Sequence, residues 1–460
     1  MLSREPSSSL HQFWRWRTAP LGRFVRISDK RGLSLGLVVQ ILDKRLVPDT
    51  FFALMYERRG LAQLRAGNRH RVMEVLRRHG RVSQADIARA TGLSRSTIST
   101  LVLELRTAGL VTEFGDGRSE VSPRRRSAPG GRPPVLLGLD ESAGTAVGID
   151  VGHSHVRVGV ANLSHEVTAE RYREFQVDHD AAGALGAAAA MVGEVLADAG
   201  IGHDRVIGVG MGIPGPIDRR TGTIGSASIL PGWVGLAPAD EMARRLGLPV
   251  DIDNDANVGA LAEVYWGAGR GRTEVVYVKA STGIGAGIVT SGQLHRGAVG
   301  TAGEIGHTTV DEQGPLCRCG SRGCLETVAG GVAVVEQVRS TQRRDLTLAR
   351  VLELAAAGDP ACRRAIADAG RQIGVSMAAV CNILNPEVII VGGHLSEAGD
   401  LLLGPLRESL RRYAVRAAGE SVGVVRGVLG ERAEMLGALA LVLQSTDRFL
   451  SERLMQGGVK

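Results

Sequence analysis

Three of the five cysteines fall within eight residues, Cys317-Arg318-Cys319-Gly320-Ser321-Arg322-Gly323-Cys324, and His307 lies ten positions upstream. One imidazole and three thiolates complete a tetrahedral donor set for Zn²⁺. A closed set leaves no position for water, so the metal is expected to be structural, and zinc-dependent hydrolysis is excluded. Glu304 and Glu326 bracket the cluster, so a rigid metal knot would fix two carboxylates beside a polar ligand site. Asp253-Asn254-Asp255-Ala256-Asn257 closes a strand-like run and opens a helical one. Asp255 then lies at a helix N-terminus, where the dipole favours a carboxylate. It is either a plain N-cap or a general base for a sugar hydroxyl. Phosphoryl transfer needs little beyond such a base, a positioned phosphate and Mg²⁺.

Three glycine turns could approach a phosphate or a flat ligand. Asp150-Val151-Gly152 lies between two strand-like runs, where backbone amides can reach a phosphate and the Asp can orient a metal-bound one. Ser281-Thr282-Gly283-Ile284-Gly285-Ala286-Gly287 offers main-chain N–H groups and hydroxyls as a cradle; a glycine-rich hairpin is the plain alternative. Val391-Gly392-Gly393 ends another strand with room for a ring such as adenine.

The elements that position these residues divide the chain. Residues 1–134 hold 25 Lys+Arg against 11 Asp+Glu, while the whole chain carries +7, so the remainder is acidic by 7. A basic front on an acidic body suggests a polyanion-binding head, with a solvated basic tail as the alternative. Residues 1–65 show no sustained period and receive no fold. In residues 66–114, Val72, Val75 and Leu76 recur at helical spacing and Gly80 stops them. Ser83 with Asp86 opens a second helix, and Ser94 caps a third with the apolar stripe Ile98, Leu101, Val102 and Leu105. Leu110-Val111-Thr112 then begins a strand.

Helix, turn and helix followed by a strand is a winged helix-turn-helix pattern; a protein-binding helical bundle is the alternative. Arg95, Ser96, Thr97, Ser99 and Thr100 begin the third helix and suit a major groove of operator DNA. Residues 115–140 read as wing and linker. There Arg124-Arg125-Arg126 could meet phosphates or be an ordinary charged linker. Arg132, on the stiff Gly131-Arg132-Pro133 backbone, could enter a narrow minor groove.

From 141 to 460 strands and helices alternate. Strands are expected over 147–151, 156–161, 206–213, 249–253, 274–279 and 387–391, and helices over 181–199 and 256–265. This is an α/β body in two lobes. No run of 18 apolar residues exists, and no cleavage site follows the apolar run 32–42, so neither a membrane span nor a secretory signal is expected. Clustered rather than spread cysteines fit a reducing cytoplasm.

Residues from about 146 onward resemble the ROK family of repressors, open reading frames and kinases. The likeness rests on Glu304-x-x-His307 with Cys317-x-Cys319-Gly-x-x-Gly-Cys324-x-Glu326, on Asn254-Asp255-Ala256-Asn257 and on Gly212-Ile-Pro-Gly215-Pro. The resemblance implies a two-lobed actin-like ATPase (ribonuclease H-like) sugar-kinase fold, so the chain would be α/β with an N-terminal winged helix-turn-helix. It implies that Asn254, Asp255, Glu304, His307 and Glu326 contact a sugar between the lobes. His307 would join Cys317, Cys319 and Cys324 on zinc, and Asp255 would be the base of any kinase reaction. Asp150, Gly152, Thr282, Gly283, Gly285, Gly392 and Gly393 would then meet ATP and Mg²⁺, if kinase activity is retained.

Two departures stand out. Kinases of the family carry Asp-x-Gly-Gly-Thr where this chain has Asp150-Val151-Gly152-His153-Ser154, with bulk at His153. Many relatives have Asn where Ile229 precedes Leu230-Pro231-Gly232-Trp233. The expectation is a cytoplasmic homodimeric or homotetrameric regulator, most simply a repressor, bound to operator DNA and responsive to a monosaccharide or sugar phosphate. A hexose kinase with an appended DNA-binding head is the alternative.

Overall fold

The computed structural model describes residues 64–114 (66 and 70 apart), 135–225, 229–339 and 346–444; Arg124-Arg125-Arg126 and Arg132 lie outside them. Residues from Asn68 onward form one unit. A helix over 71–79 (α1) buries Val72, Met73 and Leu76, and Gly80, at φ +62°, ends it. After the short strand β1 (Val82–Ser83), Ser83 caps α2 (Gln84–Thr91). Its hydroxyl accepts from the Asp86 N–H at 3.2 Å, and the Asp86 carboxylate accepts from the Ser83 N–H at 3.3 Å. Asp therefore closes the capping box as Glu does elsewhere. Gly92, at φ +69°, stops α2. Ser94 caps α3 (Arg95–Thr107), which buries the predicted Ile98, Leu101, Val102 and Leu105. β2 (Val111–Phe114) and β3 (Leu136–Leu139) pair antiparallel, and β1 joins β3 to make a three-stranded sheet. The arginine-rich stretch 115–134 thus connects the two strands of the wing.

The body repeats one topology. β4 (Thr145–Val151), β5 (His155–Asn162) and β6 (Val167–Glu174) form an antiparallel meander. After α4 (Ala181–Asp198) comes β7 (Val206–Ile213), parallel to β4. A small ribbon, β8 (Ile217–Asp218) with β9 (Thr223–Ile224), and α5 (Pro238–Leu246) lead to β10 (Val250–Asn254), parallel to β7. α6 (Asp255–Tyr265) crosses to the second lobe. There β11 (Val275–Ala280), β12 (Ile284–Thr290) and β13 (Gln293–Leu294) repeat the meander. Then come α7 (Leu325–Ala329), α8 (Gly331–Arg339), α9 (Leu348–Ala356) and the long α10 (Pro360–Leu384). β14 (Val388–Gly392) lies parallel to β11. After α11 (Asp400–Tyr413) and α12 (Arg416–Ser421), β15 (Gly423–Arg426) lies parallel to β14, and α13 (Ala433–Gln444) ends the described body. The orders β10-β7-β4-β5-β6 and β13-β12-β11-β14-β15 are the same arrangement twice. This duplicated ribonuclease H-like topology is the actin-like fold.

The lobes exchange helices. α6 leaves the first sheet and packs on β11 and β12; α13 leaves the second sheet and packs on β4 and β7; the two helices pack on each other between the sheets. Glycine permits that closeness: a Cβ on Gly437 of α13 would overlap the Val258 carbonyl of α6, and one on Gly287 of β12 would overlap the Ala256 carbonyl. α4, although no 18-residue apolar run marks it in the sequence, is long and apolar enough to cross a membrane by length and mean hydropathy. Its buried Ala184, Leu185, Ala188, Met191, Val192 and Val195 belong to the apolar core of the first lobe.

Candidate functional site

A cleft of about 630 Å³ opens between the lobes and collects most of the predicted body residues. Asn254, not Asp255, caps α6. Its Oδ1 accepts from the Ala256 and Asn257 N–H groups, and its Nδ2 donates to the Gly215 carbonyl at 3.2 Å. Asp255, the first residue of α6, shares the Ala256 N–H through Oδ1 at 2.8 Å. Its Oδ2 accepts from Lys279 Nζ at 2.9 Å, and the same ammonium lies 3.0 Å from Glu434 Oε1 at the start of α13. Burial opposes the charge on Lys279, but Asp255, Glu434 and Asp150 hold its pKa well above the usual value. Lys279 and Glu434 escape sequence reasoning. The one available signal is a lysine in the otherwise apolar run Val275-Val276-Tyr277-Val278-Lys279-Ala280.

Glu304 and Glu326 face this centre. Burial, and then the charges of Asp255 and Glu326, push the Glu304 carboxyl up to about 7. Glu326 accepts from the Ile284 N–H at 3.1 Å and from Arg318 Nε at 3.0 Å. Its carboxylate fills the space that a Cβ on Gly283 would need. Gly285 and Gly287 bring β12 against Ala256 and Ala260 of α6. Part of the predicted cradle is thus occupied by a carboxylate and by helix packing, while Thr282, Gly283 and Gly285 line the cleft.

The ligand atoms of His307, Cys317, Cys319 and Cys324 all lie within 4.8 Å of one another. Cys317 Sγ is 3.6 Å from His307 Nδ1, and Cys319 Sγ is 3.7 Å from Cys324 Sγ. Those are the edge lengths of a tetrahedron with metal–sulfur bonds of about 2.3 Å, so the donor set fits a four-coordinate metal. His307 turns Nδ1 to the thiols and Nε2 to Glu304 Oε2, 3.9 Å away. Arg318, between two of the cysteines, reaches Glu326. The Cys/His donor set and the cleft are therefore joined by one imidazole and one guanidinium.

The phosphate turn after β4 is filled. Asp150 Oδ2 is 2.9 Å from His155 Nε2, and the His155 ring takes the space beside Gly152 that a Cβ would enter. His153 also lines the cleft, with its Nδ1 2.7 Å from Asp178 Oδ1. His155, two residues on, is the side chain over the turn. Burial works against its charge, yet the Asp150 hydrogen bond and charge raise its pKa above 6.5. Gly392 lies against the Tyr277 hydroxyl, and Gly393, at φ +77°, lies against the Ala280 backbone; both line the cleft. Ile229 packs on Gly215, and the Trp233 indole donates to the Val177 carbonyl at 2.9 Å, anchoring that loop.

On the head, Arg95, Ser96, Ser99 and Thr100 are exposed along α3, whereas Thr97 is half-buried. The Ser94 hydroxyl accepts from the Thr97 N–H at 3.1 Å and lies 2.8 Å from the Thr97 hydroxyl. The Ser99 hydroxyl donates to Gln84 Oε1 at 3.0 Å. Leu103 extends the exposed face.

Two actin-like lobes, with a strand-to-helix aspartate in the cleft, define a sugar-kinase-type fold, preceded by a unit of helices α1 to α3 and a three-stranded sheet. The ROK family matches residues 146–445, and the chain belongs to that family. A domain of unknown function (DUF7343) matches residues 66–121. The xylose repressor of Caldicellulosiruptor bescii is 31% identical over 381 residues, covering 80% of this chain and 93% of that protein. The glucokinase of Thermotoga maritima is 32% identical over 311 residues, 64% of this chain and 96% of its own length. A crystal structure of a ROK family transcriptional regulator, a homologue of the E. coli Mlc protein, superposes with a TM-score of 0.71 at 26% identity, covering 85% of this chain and 99% of that one.

Proposed function

We propose that this chain is a sugar-responsive, DNA-binding transcriptional repressor of carbohydrate genes. The observation that carries it is the apolar cluster joining the head to the body: Val72, Leu76 and Leu105 share one core with Leu439 and Val442 of α13, the helix that begins at the cleft. The similarity to a xylose repressor, which covers 80% of this chain and 93% of that protein, supports the same reading. Asn254, Asp255, Glu304, His307 and Glu326 hold the sugar. Zn²⁺ on His307, Cys317, Cys319 and Cys324 keeps Glu304 and Glu326 in place. Arg95, Ser96, Ser99 and Thr100 read operator bases, with Thr97 bracing the helix start and Arg132 in the adjoining minor groove. A dimer in the cytoplasm places two heads on two half-sites.

The effector is a neutral monosaccharide rather than a sugar phosphate. Asp255, Glu263, Glu304, Glu326, Glu397, Glu431 and Glu434 line the cleft against Arg157, Lys279, Arg318 and Arg426, and an added phosphate would meet surplus negative charge. The kinase alternative has less support. His155 occupies the turn that would approach a phosphate, and Lys279 engages the carboxylate that would serve as base. ATP and Mg²⁺ therefore do not fit the turn as it stands.

The test selects duplexes from a random pool with the full chain and titrates the complex at about 0.15 M salt with xylose, glucose, N-acetylglucosamine and fructose. One sugar is expected to weaken a sequence-specific complex. Absence of any specific complex, or indifference to every sugar, overturns the proposal. Sugar-dependent ATP turnover that Asp255→Asn abolishes would install the kinase reading instead.

A further inference from the structure

We propose that Lys279 and Glu434 form a relay that reports occupancy of the sugar cleft to the DNA-binding head through α6 and α13. The proposal rests on the sugar-responsive repressor reading above and adds the device by which one site acts on the other. A single ammonium joins the first turns of two helices: Asp255 is the first residue of α6, at 2.9 Å, and Glu434 the second of α13, at 3.0 Å. The lysine itself stands on β11 of the second lobe. Three elements therefore meet at one nitrogen beside the ligand site.

The other ends of the same helices meet the head. Tyr265 closes α6, hydrogen-bonds Gln444 at the end of α13, and lies under the Arg77 guanidinium of α1 at 5.9 Å. Trp266, the next residue, packs on the apolar cluster that Val72, Met73 and Leu76 of α1 share with Leu439, Val442 and Leu443 of α13. The two helices thus run side by side from the cleft to the head. They span roughly 16–18 Å at 1.5 Å per residue. Midway, Gly437 touches the Val258 carbonyl with no side chain between them. Backbone against backbone leaves nothing soft to absorb a slide of one helix along the other, because packed interiors transmit displacement.

A sugar hydroxyl that donates to Asp255 competes with Lys279 for that carboxylate. The ammonium keeps Glu434 as its remaining strong partner, so the bond that ties α6 to α13 at the cleft weakens while the bond from β11 to α13 persists. The sugar then has different affinities for the tied and untied states, which is the condition for coupling two sites. Asp150, whose charge also faces Lys279, stays committed to His155 and does not replace Asp255.

The experiment measures the ratio of operator dissociation constants with and without saturating xylose, glucose, N-acetylglucosamine or fructose, on the full chain. The wild-type ratio is expected at about tenfold, within the usual range for coupled sites. Lys279→Met and Glu434→Gln are expected to bring it below about twofold at saturating sugar, since the first removes both arms of the relay and the second the arm to α13. Either variant keeping the full ratio overturns the relay and leaves the repressor reading intact. A wild-type chain without any sugar response overturns the repressor reading, and the relay with it. Where a variant fails to fold, hydrogen exchange on the wild type decides: sugar must change protection in both 433–444 and 71–79. Unchanged exchange in either segment sinks the proposal.

Discussion

His307 and Arg318 make the Cys/His donor set and the cleft a single object, because His307, a member of the set, faces Glu304, and Arg318, between two of its cysteines, pairs with Glu326. Removing one thiol should therefore be felt as lost ligand binding as well as lost metal. Metal analysis is expected to find about one zinc per wild-type chain. Cys319→Ser should release most of it and weaken sugar affinity by at least about tenfold, in keeping with the loss of a metal-organised shell; calorimetry checks the second effect. His155 supplies a pH signature. Its folded pKa is raised, chiefly by Asp150 against the opposing effect of burial, with Lys279 and Glu434 also facing it. A raised pKa stabilises the fold below the unfolded value of about 6.5, and that contribution disappears as pH rises through the higher folded value. Melting temperatures are thus expected to fall from about pH 6 upward, and His155→Gln should flatten that slope. A variant that keeps the wild-type slope would dissociate the effect from His155.

At the scale of elements, strands and helices with a strong local signature were legible. The expected helices over 181–199 and 256–265 became α4 and α6, and the strands over 206–213 and 387–391 became β7 and β14. Gly80, Ser83 and Ser94 announced the helix borders of the head because capping chemistry is written in one or two residues. The grouping of His307 with three cysteines was legible for the same reason: spacing alone brings them close. The occupant of the phosphate turn was not, since His153 and His155 differ only in which way the hairpin turns them. Nor was Glu434, which meets Lys279 only because α13 crosses back to the first lobe. That crossing gives a stability prediction. Gly437→Ala would push a methyl group into the Val258 carbonyl, an overpacked contact that typically costs about 1–3 kcal/mol, readable as a lower urea midpoint. An unchanged midpoint would show that the two helices have slack.

For the whole molecule, the division of charge sets how each ligand responds to salt. The first 134 residues carry a surplus of 14 positive charges and the rest is acidic. Operator affinity is expected to drop by about a thousandfold between roughly 0.05 and 0.2 M salt if about six phosphates are neutralised. Affinity for a neutral sugar should stay within about twofold over that range, because there is little charge to screen. Anisotropy and calorimetry over one salt series compare the two directly, and equal salt slopes would rule out the assignment of head to DNA and cleft to sugar.

The head also lacks a seam. β3 passes into β4 through only the residues between Leu139 and Thr145, and the apolar interior of the head continues into α13, with Arg77 lying over Tyr265 beside it. Transplanting this reader onto a related sensor would therefore expose an oily face on both halves. Regulators built this way would diversify by drifting as wholes, sequence by sequence, rather than by shuffling ready-made parts.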